Sequence, residues 1–162
     1  MKEKLMMTMT LEEITKDKIK KVQEIVLSNK TYNVLENGRE TRSMKEIKEE
    51  FLNPATYSYF IKVDKDYIGL IDYLPENPKD QYPWLGLLMI HEQWKGNSFG
   101  KRAYHLFEKG IKNSGKHAIR LGVLNNNRDA KAFWESLGFS YYDTKPFKAG
   151  REVDCYEKKL KN

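Results

Sequence analysis

Chemistry concentrates between Leu87 and Lys101. An apolar run, Leu87-Leu88-Met89-Ile90, passes through His91-Glu92-Gln93-Trp94 into Lys95-Gly96-Asn97-Ser98-Phe99-Gly100-Lys101. Small residues ahead of a helical pattern leave successive backbone amides unpaired at a helix N-terminus. The helix dipole adds partial positive charge there, so an anion such as a phosphate is stabilised by roughly 0.3–2 kcal/mol. Gly96, Ser98 and Gly100 keep bulk away from such an anion, while Lys95 and Lys101 supply mobile charge. The stretch is neither a Walker loop, lacking Gly-Lys-Ser/Thr, nor a three-glycine dinucleotide fingerprint. On spacing alone, an ordinary strand-to-helix connection explains it equally well.

Other reactive residues offer less. The single cysteine, Cys155, cannot form an intrachain disulfide and reads as a small apolar core residue in a strand. His91, His105 and His117 lie too far apart for short-range zinc spacing, so no metal is expected. Glu36, Glu40, Glu49, Glu50, Glu76 and Asp80 could attract a cation, or simply form solvated surface.

The elements that must position these groups follow from periodicity. Met6 to Thr10 reads as a first strand. Ile19, Val22, Ile25 and Val26 repeat at helical spacing within Thr15 to Ser28, and Met44, Ile47 and Phe51 mark a second helix after a break at Asn37-Gly38. Two strands follow, Tyr57 to Val63 and Tyr67 to Leu74, joined by a turn at Asp64-Lys65-Asp66. Pro75 to Pro83 is a polar loop. Trp84 to His91 is a nearly continuous apolar run, expected to be a central strand covered on both faces. A strong helix then carries Phe99, Ala103, Leu106, Phe107 and Ile111. Beyond it come a strand through Ile119, Leu121 and Val123, and a helix with Ala130, Phe133, Trp134 and Leu137 that stops at Gly138. Strands from Phe139 to Thr144 and Val153 to Leu160 end the chain. The order β-α-α-β-β-β-α-β-α-β-β predicts an α/β (α+β) fold, a single mixed, mostly antiparallel sheet flanked by helices.

A length of 162 residues fits one domain over 1–162, since domains commonly run to roughly 100–200 residues. With 40% apolar and 32% charged residues, the chain is neither disordered nor fibrous. Its longest unbroken apolar run is far short of the ~20 residues that span a bilayer, and Glu12 and Glu13 interrupt any signal-peptide core. A cytoplasmic protein without membrane attachment is expected. The net charge of +6 can serve an anionic cofactor or solubility alone. Without an aromatic-basic stacking motif, a nucleic-acid-binding module is a distant third reading.

The loop and a second segment together resemble the GCN5-related N-acetyltransferase (GNAT) superfamily. The acetyl-coenzyme A loop of that family follows the pattern Gln/Arg-x-x-Gly-x-Gly/Ala after a central strand. This chain has Lys95-Gly96-Asn97-Ser98-Phe99-Gly100 after Leu88-Met89-Ile90, with Lys95 in the first position and Ser98 at the first glycine. Downstream, Asn127-Arg128-Asp129-Ala130 and Phe133-Trp134-Glu135-Ser136-Leu137-Gly138-Phe139 resemble Asn-x-x-Ala…Tyr-Glu-Lys-Leu-Gly-Phe.

The resemblance implies acetyl-CoA as cosubstrate. Leu88, Met89 and Ile90 would pair through their backbone with its pantetheine arm, and an amide of that strand would polarise the thioester carbonyl. Lys95, Gly96, Asn97, Ser98, Phe99, Gly100 and Lys101 would hold the pyrophosphate, and Asn127 would contact the arm. Many members carry a glutamate base on the central strand. Here Trp84 to Ile90 has no ionisable side chain, which leaves Asp72 and His91 as candidate bases. Trp134 stands where the family's tyrosine acid is usual, and it reads as packing, with Tyr141 or Tyr142 as possible substitutes. The expected activity is acetyl transfer to a primary amine of a small molecule or a protein N-terminus, with a homodimer left open. The alternative is a degenerate CoA-binding sensor or scaffold.

Overall fold

The computed structural model describes residues 7–161. Seven strands form one mixed sheet in the order β1-β2-β3-β4-β5-β7-β6. They are β1 (Met9–Glu13), β2 (Tyr57–Val63), β3 (Asp66–Leu74), β4 (Trp84–Ile90), β5 (Ala118–Leu124), β6 (Ser140–Pro146) and β7 (Glu152–Lys159). Five helices accompany them: α1 (Ile19–Ser28), α2 (Lys30–Asn37), α3 (Met44–Phe51), α4 (Phe99–Asn113) and α5 (Arg128–Ser136). The pairs β1–β2, β5–β7 and β6–β7 are antiparallel, and β4 runs parallel to β5 where Trp84 faces Arg120. Among the described residues, no helix is long and apolar enough to cross a membrane.

The chain divides into two compact units. One takes in the residues up to Asp72 together with Leu87–Leu106; the other takes in Tyr73–Gly86 and the residues from Phe107 onward. In the first, α1 and α3 lay Ile19, Val22, Ile25, Val26, Ile47 and Phe51 against Phe60, Leu70, Leu87 and Met89 of the sheet, so the 3.6-residue stripe meets the 2-residue one. Ser43 caps α3 through a capping box with Glu46. In the second unit, Ile119, Leu121 and Val123 of β5 are buried, as are Trp134, Leu137 and Phe139 around the end of α5. Gly138, at φ +97°, lets the Phe139 amide turn back to the Trp134 carbonyl and stops the helix. Cys155 is fully buried in β7.

Three expectations shift. The first strand is Met9–Glu13 rather than Met6 to Thr10, because Glu12 is held by Lys18, Lys62 and Tyr67 (Met6 lies outside the described residues). A further helix, α2, stands between the two expected near the N-terminus. β4 is covered unevenly: Leu85, Leu87, Met89 and, at its end, Ile90 are buried, whereas Trp84 and Leu88 are half-buried and Gly86 is exposed.

Candidate active site

Within the first unit, β4 runs into a turn at His91, a 3-10 turn at Glu92–Trp94, the loop at residues 95–98, and α4. Gly96 has φ +86° and Ser98 has φ +63°, both in the left-handed region. That region is what a glycine favours and a serine enters at a cost, which gives a physical reason for the family's glycine at the position of Ser98. Among the described residues, a Cβ built on Gly96 would meet nothing within 4 Å. The first α4 amide to bond back into the chain, among the described residues, is that of Arg102, to the Ser98 carbonyl. The amides of Phe99, Gly100 and Lys101 precede it in the first helical turn and are directed out of the helix end.

The side chains divide the work. Phe99 is buried, with its ring edge-to-face on Trp94 at 5.6 Å, so only its backbone can serve an anion. Lys95 forms a surface pair with Glu92 at 3.1 Å, and the Asn97 amide donates to the Lys95 carbonyl. Lys101 is exposed. Beside the loop lies a shallow hollow of about 480 Å³ lined by Met7, Gln93, Trp94, Asn97 and Phe99. First-turn amides, positive-φ small residues and adjacent lysines suit a pyrophosphate.

The strand's backbone is already partly committed. The His91 amide donates to the Ile68 carbonyl at 2.7 Å, and the Met89 carbonyl lies against Gly69 of β3. Because backbone groups alternate sides along a strand, Met89 faces β3, while Leu88 and Ile90 face the opposite edge. The Ile90 carbonyl accepts from Asn29 Nδ2 at 3.1 Å. Of the three residues expected to pair with the pantetheine arm, Leu88 therefore turns both backbone groups to that opposite edge, and Ile90 turns its amide there.

Asp72 and His91 sit in different environments. Asp72 is 8% exposed near the end of β3, and its Oδ1 accepts from Ser58 Oγ at 2.8 Å. His91 caps the 3-10 turn: its Nδ1 accepts the Gln93 amide at 3.0 Å. A backbone amide can only donate, so Nδ1 holds the lone pair and neutral His91 carries its proton on Nε2. That tautomer cannot take a proton at its outward nitrogen.

In the second unit, Asn127 caps α5 through Oδ1, which accepts the Ala130 amide at 3.1 Å; Nδ2 carries its donors. Trp134 is buried between Phe133 and Phe139, with ring centroids at 4.9 and 5.3 Å. Tyr141 bonds Thr144, and Tyr142 lies against Arg120, with burial pushing its phenol up to about 12. Of the acids read as cation attractors, Asp80 binds Arg120 and the Trp84 indole. Glu50 pairs with Arg42, and Glu36 accepts from Tyr32. Two residues went unnoticed in the sequence, Ser28 and Asn29, whose side chains reach Glu92 and Ile90. Their signal was a polar pair at the end of an apolar stripe.

Known proteins share this fold. An acetyltransferase from Thermus thermophilus superposes with a TM-score of 0.79 at 22% identity, covering 94% of this chain and 97% of that one. A GNAT family acetyltransferase from Elizabethkingia anophelis, with acetyl-CoA bound, gives 0.70 at 13% identity over 94% and 98%. A Lactobacillus delbrueckii subsp. lactis protein, described as an uncharacterized N-acetyltransferase in the pepI 3' region, is 25% identical over 117 residues, 68% of each chain. The model of the acetyltransferase (GNAT) family matches residues 20–139. The chain belongs to that family.

Proposed function

We propose that the protein moves the acetyl group of acetyl-CoA onto a primary amine of a small molecule or a protein N-terminus. The observation that carries this reading is the pair of left-handed residues, Gly96 and Ser98, set before the 15-residue helix α4. When bound, acetyl-CoA supplies an activated acetyl thioester. Residues 95–101 hold its pyrophosphate through backbone amides, and Lys101 adds charge. The amides of Leu88 and Ile90 orient the arm and face its carbonyl. The amine attacks the acetyl carbonyl, and Asp72 takes its proton because the lone pair of His91 is spent on its own turn. The C–S bond breaks to release coenzyme A as its thiolate.

Two measurements test the reading. Acetyl-CoA should raise the melting temperature by mass action, and Gly100→Glu should abolish the rise by placing bulk and negative charge at the phosphate position. In thiol-release assays across a panel of amines, Asp72→Asn should lower kcat at least 100-fold with CoA affinity held within about threefold, as expected for a lost proton acceptor. An undiminished shift in Gly100→Glu removes the pyrophosphate assignment; unchanged kcat in Asp72→Asn removes the base.

A further inference from the structure

The break between α1 and α2 falls on Asn29, whose backbone (φ −101°, ψ 62°) is not helical and whose side chain is 1% exposed. Its carboxamide does not serve the helix alone. Nδ2 donates to the Ile25 carbonyl at 3.0 Å and to the Ile90 carbonyl at 3.1 Å. Since both acceptors are carbonyl oxygens, the amide orientation is fixed: turning it over would set oxygen against oxygen. The preceding residue completes the contact. Ser28 Oγ donates to the Ile25 carbonyl at 2.7 Å and accepts the Glu92 amide at 3.1 Å.

These two side chains thus grip the residues on either side of His91. Ile90, before it, is held by its carbonyl, and Glu92, after it, by its amide. His91 itself is fixed three more times. Its amide donates to Ile68, its carbonyl accepts from Trp94 at 2.8 Å, and its Nδ1 accepts from Gln93. A turn whose polar groups are so fully used has one geometry rather than several. Strand β4 and the loop at residues 95–98 meet through this turn, so its angle sets where the loop amides point relative to the strand.

We infer that Ser28 and Asn29 are positioning residues, which clamp the His91 turn from the α1–α2 junction and so hold the anion-binding loop in register with β4. The inference rests on the loop assignment under Proposed function. Neither side chain is part of the loop; both act through Ile90 and Glu92. Misplacing amides by about 1 Å is enough to cost a large part of their grip on a charged group. Losing the clamp therefore weakens acetyl-CoA and leaves the amine acceptor alone.

The experiment compares Ser28→Ala, Ser28→Thr and Asn29→Ala with wild type and Gly100→Glu in the full chain. Coenzyme A affinity is measured by titration calorimetry at 15 °C, far below melting, alongside amide exchange at Glu92 and Gln93. Ser28→Ala and Asn29→Ala should weaken coenzyme A by 5- to 30-fold, raise KM for acetyl-CoA in step, and leave KM for the amine within twofold. The Glu92 amide should exchange at least tenfold faster in Ser28→Ala. Ser28→Thr, which keeps the hydroxyl, should restore both affinity and protection. A residue that only stabilised the fold would lower the melting temperature without moving affinity at 15 °C. If Gly100→Glu abolishes binding while Ser28→Ala and Asn29→Ala bind within twofold of wild type, the clamp is wrong and the loop assignment stands. If wild type itself fails to bind coenzyme A, the loop assignment falls and takes the clamp with it.

Discussion

Ser98 shows how a single residue can depart from a pattern and still keep its geometry. The loop needs a left-handed residue there, and serine supplies φ +63° at an energetic cost that glycine would not incur. Ser98→Gly should therefore fold normally and bind coenzyme A within about threefold of wild type, since the amides that grip it are unchanged. The relief of native strain is offset by the freer unfolded chain, so its melting temperature should shift by only a few degrees. Ser98→Val is the opposite case. A β-branched side chain resists positive φ, and strain of about 1–3 kcal/mol should reopen the loop and weaken coenzyme A by roughly 5- to 100-fold. Equal affinity in the glycine and valine variants, by calorimetry, would show that the loop's conformation does not matter to binding. The sequence alone made the small residues legible and the left-handed backbone invisible. Likewise it named His91 as a titratable group but could not show that the Gln93 amide occupies Nδ1.

Elements were legible in proportion to how apolar their buried faces are. Helices α1 and α3 and strands β2 and β3 carry continuous apolar stripes and lie where periodicity puts them. Helix α2 escaped because its one fully buried residue is Asn33, whose Nδ2 bonds the carbonyls of Val26 and Glu40. A polar residue used as core leaves no apolar period to read. The loop from Pro75 to Pro83 was legible as polar but not as anchored. Arg120 of β5 reaches it, with its guanidinium 3.6 Å from the Tyr82 ring centroid and 4.6 Å from that of Tyr142. The same guanidinium pairs with Asp80 at 3.2 Å and Glu157 at 3.0 Å. Stacking and forked hydrogen bonding both depend on a planar cation, so lysine is a poor substitute. Arg120→Ala, which leaves two carboxylates facing each other across a largely buried gap, should cost on the order of 2–4 kcal/mol in urea unfolding, and Arg120→Lys about half of that. A loss below about 0.5 kcal/mol for the alanine variant, the scale of an ordinary surface substitution, would mean that the loop is held by something else.

At the scale of the whole molecule, the chain's excess of positive charge and its use of carboxylates make stability sensitive to acid. Lysine and tyrosine partners of Glu12 bring its carboxyl down to about 2, and the Ser43 amide with Arg39 does the same for Glu46. Burial acts to raise Asp154 and Asp80, but their hydrogen bonds outweigh it: Lys131 and Thr144 for the first, the Tyr82 amide, Trp84 and Arg120 for the second. Both lie below the ordinary carboxylate value. A folded-state pKa below the unfolded one gives stability that is complete above the unfolded value, near 4, and is lost as pH falls through the folded value. The melting temperature should therefore be flat from about pH 8 to 5 and fall steeply between about pH 4 and 2. As these carboxyls protonate, the net charge climbs from +6 and self-repulsion adds to the loss. Glu12 and Glu46 are about one-third exposed, so solvent screens them; Asp154, 6% exposed with Lys131 at 2.6 Å, should carry a larger share. Asp154→Asn should lower the melting temperature at pH 7 and converge on wild type near pH 2.5, where the native carboxyl is losing its charge as well. Melting curves of the two proteins that run parallel from pH 7 to 2.5 would show that Asp154 contributes nothing to the acid sensitivity.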